Sequence, residues 1–130
     1  RARLAALRER LMENVDRDAQ SYEAVLRSLK LPKTTDAERA TRGQAIEAAS
    51  KTAAAVPLET AEMAAAVARE IGDLAGVTVS QAASDLRVAA SLAEAARRGG
   101  IENVHANLPS VHDEGWLRDV AARLQALETE

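Results

Sequence analysis

Leu4, Leu7, Leu11, Val15, Tyr22, Leu26 and Leu29 fall three and four residues apart or at multiples of those spacings. No stretch of the chain alternates with period two for long enough to make a strand. Together these patterns leave one fold class, all-α. At 100° per residue the stripe is roughly 100° wide, and Arg3, Arg8, Glu9, Arg10, Glu13 and Arg17 occupy the other face. The spacing predicts a first helix over residues 1–28.

Breakers divide the remainder. Pro32 biases Leu31 away from helical angles, which predicts a loop over 31–36 with Thr35 or Asp36 capping the next helix. That helix is expected over 36–55, with Arg42 paired to Glu38 one turn before it. Pro57 lacks a backbone donor and is expected to kink the helix or restart it, with helical pattern again over 58–74 and an end at Gly76. A helix over 80–96 turns Ala82, Leu86, Ala89 or Ala90, and Ala93 inward. Gly99-Gly100 either breaks it or marks very close packing. A segment over 101–108 stops at Pro109. The last helix, 113–127, packs through Trp116, Val120, Leu124 and Leu127. The expectation is one domain over 1–130, an antiparallel bundle of about five helices.

Alanine makes up roughly a quarter of the chain, far above average usage. Side chains this small bury little area each, so the core needs close helix contacts and a partner subunit, and a homodimer is expected. A net charge of -3, with one Tyr and one Trp, offers no basic stripe and no stacking platform for nucleic acid. No apolar run approaches the roughly 20 residues needed to cross a bilayer. The absence of cysteine removes disulfides and thiolate metal sites, and two scattered histidines argue against zinc. The default expectation is a cytoplasmic protein with no metal and no cofactor.

One acid stands out. Asp18 lies three residues after Val15 and four before Tyr22, on the apolar stripe, whereas Asp16 points about 140° or more away. A carboxylate among leucines is costly to bury ionised unless it is paired, and such a group suits proton transfer. Spacing alone leaves a structural role and a catalytic role both open. Lys33, just beyond Pro32, is placed to reach an anion. Asn103 and Asn107 share a helix face beside the glycine pair, where amides can read a heterocycle edge or bond another helix. Ser84-Asp85 reads as an N-cap or a polar ligand contact, and His105 as a surface residue. No phosphate loop, zinc pattern or nucleophile triad is present.

Five blocks follow one another in order: Val15-Asp16-Arg17-Asp18-Ala19, Leu31-Pro32-Lys33, Val56-Pro57-Leu58, Ser84-Asp85-Leu86-Arg87-Val88-Ala89-Ala90, and Asn103-Val104-His105-Ala106-Asn107-Leu108. In this order the chain resembles the formiminotetrahydrofolate cyclodeaminase / methenyltetrahydrofolate cyclohydrolase family, which includes the cyclodeaminase half of formiminotransferase-cyclodeaminase. The resemblance implies an all-helical domain that dimerises, with a folate site near the subunit interface. It implies conversion of 5-formimino-tetrahydrofolate to 5,10-methenyl-tetrahydrofolate with release of ammonia, or hydrolysis of the methenyl compound to 10-formyl-tetrahydrofolate, with no metal or redox cofactor. The substrate is a folate, monoglutamyl or polyglutamylated. The family's catalytic acid falls on Asp18, and Lys33, Asp85, Asn103 and Asn107 become substrate-binding candidates. The family's glycine-rich segment ahead of this region has no counterpart after Arg1, so the domain is expected to lack its N-terminal helices. A non-catalytic helical dimerisation module, or a degenerate family member, is the competing expectation.

Overall fold

A computed structural model describes residues 2–75 and 82–129, apart from the side chain of Ala75. The described residues form four α-helices: α1, Ala2–Leu29; α2, Asp36–Ala75; α3, Ala83–Asn107; and α4, Glu114–Glu128, with a 3-10 turn at Leu108–Ser110 before α4. The all-α class holds, with four helices among the described residues rather than about five. The end expected at Gly76 lies outside the described residues.

The difference arises at two interruptions that the helices absorb. α2 runs unbroken through Pro57 for 40 residues, about 60 Å at 1.5 Å per residue. Proline at that position leaves the Ala53 carbonyl without its usual donor from four residues on. Asn107, the last residue of α3, supplies the replacement, its Nδ2 donating to the Ala53 oxygen at 3.2 Å. A polar side chain from a neighbouring helix thereby satisfies the one backbone acceptor that would otherwise open the helix. Asn107→Ala is expected to lower stability by about 1 kcal/mol. In a Pro57→Ala background, where the backbone donor returns, the loss should shrink towards zero; equal losses in both backgrounds, measured by denaturant unfolding, would contradict this role.

Gly99-Gly100 lies inside α3 and does not break it. Of the two alternatives, close packing is correct, and only Gly100 requires it. A Cβ on Gly100 would sit 2.8 Å from the Pro57 oxygen and 2.9 Å from the Ala61 Cβ, whereas one on Gly99 meets nothing within 4 Å. α3 therefore rests with bare backbone against the proline turn of α2.

α1 and α2 are antiparallel neighbours. Arg3 pairs with Glu70 at 2.9 Å at one end, and Arg42 donates to the Leu29 carbonyl at 3.2 Å at the other. Arg42 thus caps the C-terminus of α1 instead of pairing with Glu38. Glu38 accepts from the Thr35 amide at 3.0 Å while Thr35 Oγ1 accepts from the Glu38 amide at 3.1 Å. This reciprocal pair is a capping box, with Thr35 as the cap. At α3 the expected cap fails: the helix begins at Ala83 after Ala82, and no side chain caps it. α4 follows its Asp113 cap, which accepts from the Trp116 amide at 3.0 Å. Val120, Leu124 and Leu127 pack with Leu58, Ala61, Ile101 and Val104 in the core, and Trp116 and Leu108 lie against its edge.

The buried face of α1 is not the apolar stripe. Its three buried residues are Asn14, Ser21 and Ser28, seven apart and in line with half-buried Leu7. A seven-residue row keeps one helix facing another along a supercoiled seam. The serines tolerate burial because each hydroxyl bonds back into its own helix, Ser21 to the Asp18 carbonyl at 2.8 Å and Ser28 to the Val25 carbonyl at 2.7 Å. Leu4 and Leu11 stay half-buried, but Met12, Val15, Tyr22, Leu26 and Leu29 are exposed. Asp18 is exposed with them rather than enclosed among leucines.

Candidate functional site

α1 and α3 both pack on α2, and between them lies a groove of about 290 Å³. α1 contributes Leu11, Asn14, Val15 and Asp18; α2 contributes Pro57 and Thr60; α3 contributes Ala96, Gly99, Gly100 and Asn103. The proline turn and the two glycines give this groove its depth, because none of them carries a long side chain to fill it. Asp18 is the one ionisable side chain among these lining residues. On α1 it follows Leu4 and Leu11 at seven-residue spacing and precedes Val25. It thus takes the place in the helix seam where an apolar residue would close the gap.

A hydrogen-bonded chain fixes the floor. Arg17 Nη1 donates to Asn14 Oδ1 at 2.7 Å, and Asn14 Nδ2 donates to Thr60 Oγ1 at 3.0 Å and reaches the Val56 carbonyl at 3.5 Å. Thr60 Oγ1 in turn donates to the Val56 carbonyl at 3.1 Å. Arg17 is itself anchored by Glu59 at 2.5 Å. The Arg17 hydrogen bond holds the Glu59 carboxyl below its ordinary range, and the same contact raises the Arg17 guanidinium. Arg17 therefore faces Glu59 as a satisfied ion pair.

The structure brings Asp18 and Asn103 to one groove and leaves the other candidates outside it. Lys33 sits in the α1–α2 loop, 15 residues past Asp18 and roughly 16 Å beyond it along the α1 axis by the time that helix ends. Asp85 lies in the first turn of α3, at the opposite end of the bundle and again about 16 Å from the nearest α3 lining residue, Ala96. Asn107 is one turn past Asn103, and its amide nitrogen is engaged by the Ala53 and Asn103 carbonyls. Sequence reasoning does not single out Asn14 or Thr60, and it singles out Gly99 only with Gly100, as a helix break or a point of close packing. The one available signal, and for Asn14 alone, was the seven-residue row Leu7, Asn14, Ser21, Ser28, which hydrophobicity does not register. No cluster of three or more potential metal-ligating His, Asp or Glu side chains occurs among the described residues.

Comparison with known proteins bears on the same helices. The family model described as formiminotransferase-cyclodeaminase matches residues 1–126. The chain belongs to this family. Among its relatives, the formimidoyltransferase-cyclodeaminase of Sus scrofa is 36% identical over 118 residues, which cover 91% of this chain and 22% of the relative. The methenyltetrahydrofolate cyclohydrolase of Methylorubrum extorquens is 33% identical over 128 residues, 95% of this chain and 60% of that protein. A Mus musculus formimidoyltransferase-cyclodeaminase is 34% identical over 113 residues. The chain thus spans about a fifth of the mammalian relatives and three-fifths of the bacterial one.

Proposed function

We propose that the chain is a folate-interconverting enzyme that closes 5-formimino-tetrahydrofolate to 5,10-methenyl-tetrahydrofolate and releases ammonia. The observation that carries this reading is the position of Asp18, the one ionisable side chain lining the groove, in a chain of this family. The formimino group is an amidine and is a cation at neutral pH. N10 of the folate attacks its carbon, the new C–N10 bond forms, and the bond from that carbon to the terminal nitrogen breaks. The N10 proton has to reach the departing nitrogen, so that ammonia leaves and the positive charge stays on the methenyl bridge. The Asp18 carboxylate takes that proton from N10 and returns it to the leaving nitrogen. Its negative charge also favours a cationic substrate over a neutral one.

Asn103 orients the ring from the α3 side. Lys33 is too far from Asp18 for the chemistry and instead meets carboxylates of the glutamate tail, whether single or polyglutamylated. Asp85 and Asn107 take no part in this scheme, which needs no metal or redox cofactor and suits a cytoplasmic setting. The name of the bacterial relative supports a second reading: hydration of the methenyl carbon to 10-formyl-tetrahydrofolate, with Asp18 accepting a proton from water.

One assay separates the readings. The near-ultraviolet absorbance of the methenyl compound rises when protein is added to 5-formimino-tetrahydrofolate if the chain is a cyclodeaminase, with one ammonia per methenyl formed. It falls faster than in buffer, starting from the methenyl compound, if the chain is a cyclohydrolase. No acceleration in either direction leaves the non-catalytic module.

The exposed apolar faces support the expected homodimer. Tyr22 on α1 and Leu92 on α3 are 63% and 66% exposed, apolar area that association with a second copy would remove from water. A second copy of the chain covers these faces. Light scattering should give twice the subunit mass, and Tyr22→Asp combined with Leu92→Asp should give the single mass. A monomeric wild-type protein would rule the dimer out.

A further inference from the structure

The floor of the groove has a fixed hydrogen-bond polarity, and this follows from Arg17. A guanidinium only donates, so its 2.7 Å bond identifies the Asn14 atom it meets as the carbonyl oxygen. The other end of the Asn14 side chain must then be the amide nitrogen, which donates to Thr60 Oγ1. An oxygen that receives this bond must send its own proton elsewhere, and it does, to the Val56 carbonyl at 3.1 Å. Both donors of Asn14 are directed at Thr60 and Val56, and the single donor of Thr60 is directed at Val56. A hydroxyl oxygen has two lone pairs. One of them meets Asn14, and the second remains for a ligand in the groove that Thr60 lines.

Thr60 and Asp18 line the same groove, Thr60 with its one proton committed to Val56 and Asp18 with a carboxylate, so each offers it an acceptor. We propose that the acceptor-only face that Asp18 of α1 and Thr60 of α2 give the groove, opposite Asn103 on α3, makes it selective for a ligand group bearing N–H donors and positive charge, with Thr60 as the specificity-determining residue and Arg17 and Asn14 as the residues that set its polarity. The proposal rests on the folate reading above and deepens it. Two folates differ at the reacting position by one group: 5-formimino-tetrahydrofolate carries a protonated nitrogen where 5-formyl-tetrahydrofolate carries a carbonyl oxygen. The nitrogen donates to the Thr60 lone pair and to Asp18. In the same place, turned toward Asp18 and Thr60 and away from the Asn103 amide, the carbonyl oxygen faces two acceptors with nothing to give them, and polar groups left unpaired in a site are what produce strong rejection of near-isosteres.

The test compares KM for 5-formimino-tetrahydrofolate with the inhibition constant of 5-formyl-tetrahydrofolate in wild-type protein, Thr60→Val and Thr60→Ser. Valine keeps the shape of threonine and removes the oxygen; serine keeps the oxygen. Thr60→Val is expected to raise KM about tenfold while the inhibition constant of the formyl compound stays level or falls. The ratio of the two constants then drops by about tenfold or more, and Thr60→Ser restores most of it. A purely structural role moves both constants together and leaves the ratio alone, and that outcome overturns the proposal, as does an unchanged KM. Turnover by wild-type protein with an unaltered ratio overturns this inference alone. No turnover by wild-type protein overturns the cyclodeaminase reading and this one with it.

Discussion

Asp18→Asn should reduce turnover of 5-formimino-tetrahydrofolate by about a thousandfold and leave the melting temperature within a degree or two of wild type. Both halves follow from the same position. The side chain is exposed at the groove and its carboxylate makes no hydrogen bond or ion pair among the described residues, so the described fold does not draw on its charge. In the proposed mechanism ring closure does depend on it, because an amide of the same size can neither take the N10 proton nor deliver it to ammonia. KM should change less than kcat, since the amide still fills the space beside the substrate. Asp16→Asn, two residues away and facing solvent, is the control and should keep full activity. Activity in Asp18→Asn near the wild-type level would move the chemistry elsewhere.

Gly100→Ala should be the more damaging of the two single-methyl substitutions in the glycine pair, by a wide margin. Its new methyl group would lie inside contact distance of a backbone oxygen at Pro57 and of the Ala61 side chain. Neither can swing aside, so α3 must shift away from α2, and overpacking of this kind costs about 1–3 kcal/mol. The same substitution at Gly99 meets open space and should instead stabilise α3 by roughly 0.5–1 kcal/mol through helix propensity. Urea unfolding of the two variants reads the difference directly. Equal effects would mean that α3 does not rest on the proline turn.

The Gly100 contact also marks where sequence patterning stops being informative. Pro57 and Gly99-Gly100 each read as helix breakers, because intrinsic propensity treats them one at a time. In the fold they are two halves of one contact: the proline turn is where α2 lacks a donor, Gly100 is where α3 can come close enough to reach it, and Asn107 supplies the bond. Only the pairing of elements 43 residues apart reveals that. α1 failed for a different reason. Its apolar stripe is real, but the face toward α2 is set by a seven-residue row of small polar side chains that satisfy themselves. Hydrophobicity does not register them. Where a helix packs through large apolar residues, as α4 does with Val120, Leu124 and Leu127, the pattern was legible without the fold.

The site was half legible on the same grounds. Asp18 and Asn103 stand out as polar residues in suggestive places, and they do line one groove. Lys33 and Asp85 looked equivalent to them in the chain, yet a long helix carries each to an opposite end of the bundle. Thr60 gave no signal, since its importance lies in the direction of a proton that only its partners determine.

That the groove holds the substrate is the claim on which the rest depends, and Gly99→Leu tests it most directly. Gly99 lines the groove and a Cβ there meets nothing within 4 Å, so a leucine has room to occupy the groove without disturbing the contact at Gly100. The variant should fold with a melting temperature no lower than wild type and lose at least about tenfold in kcat/KM for 5-formimino-tetrahydrofolate. A stable Gly99→Leu protein with wild-type kcat/KM would show that the substrate binds somewhere else.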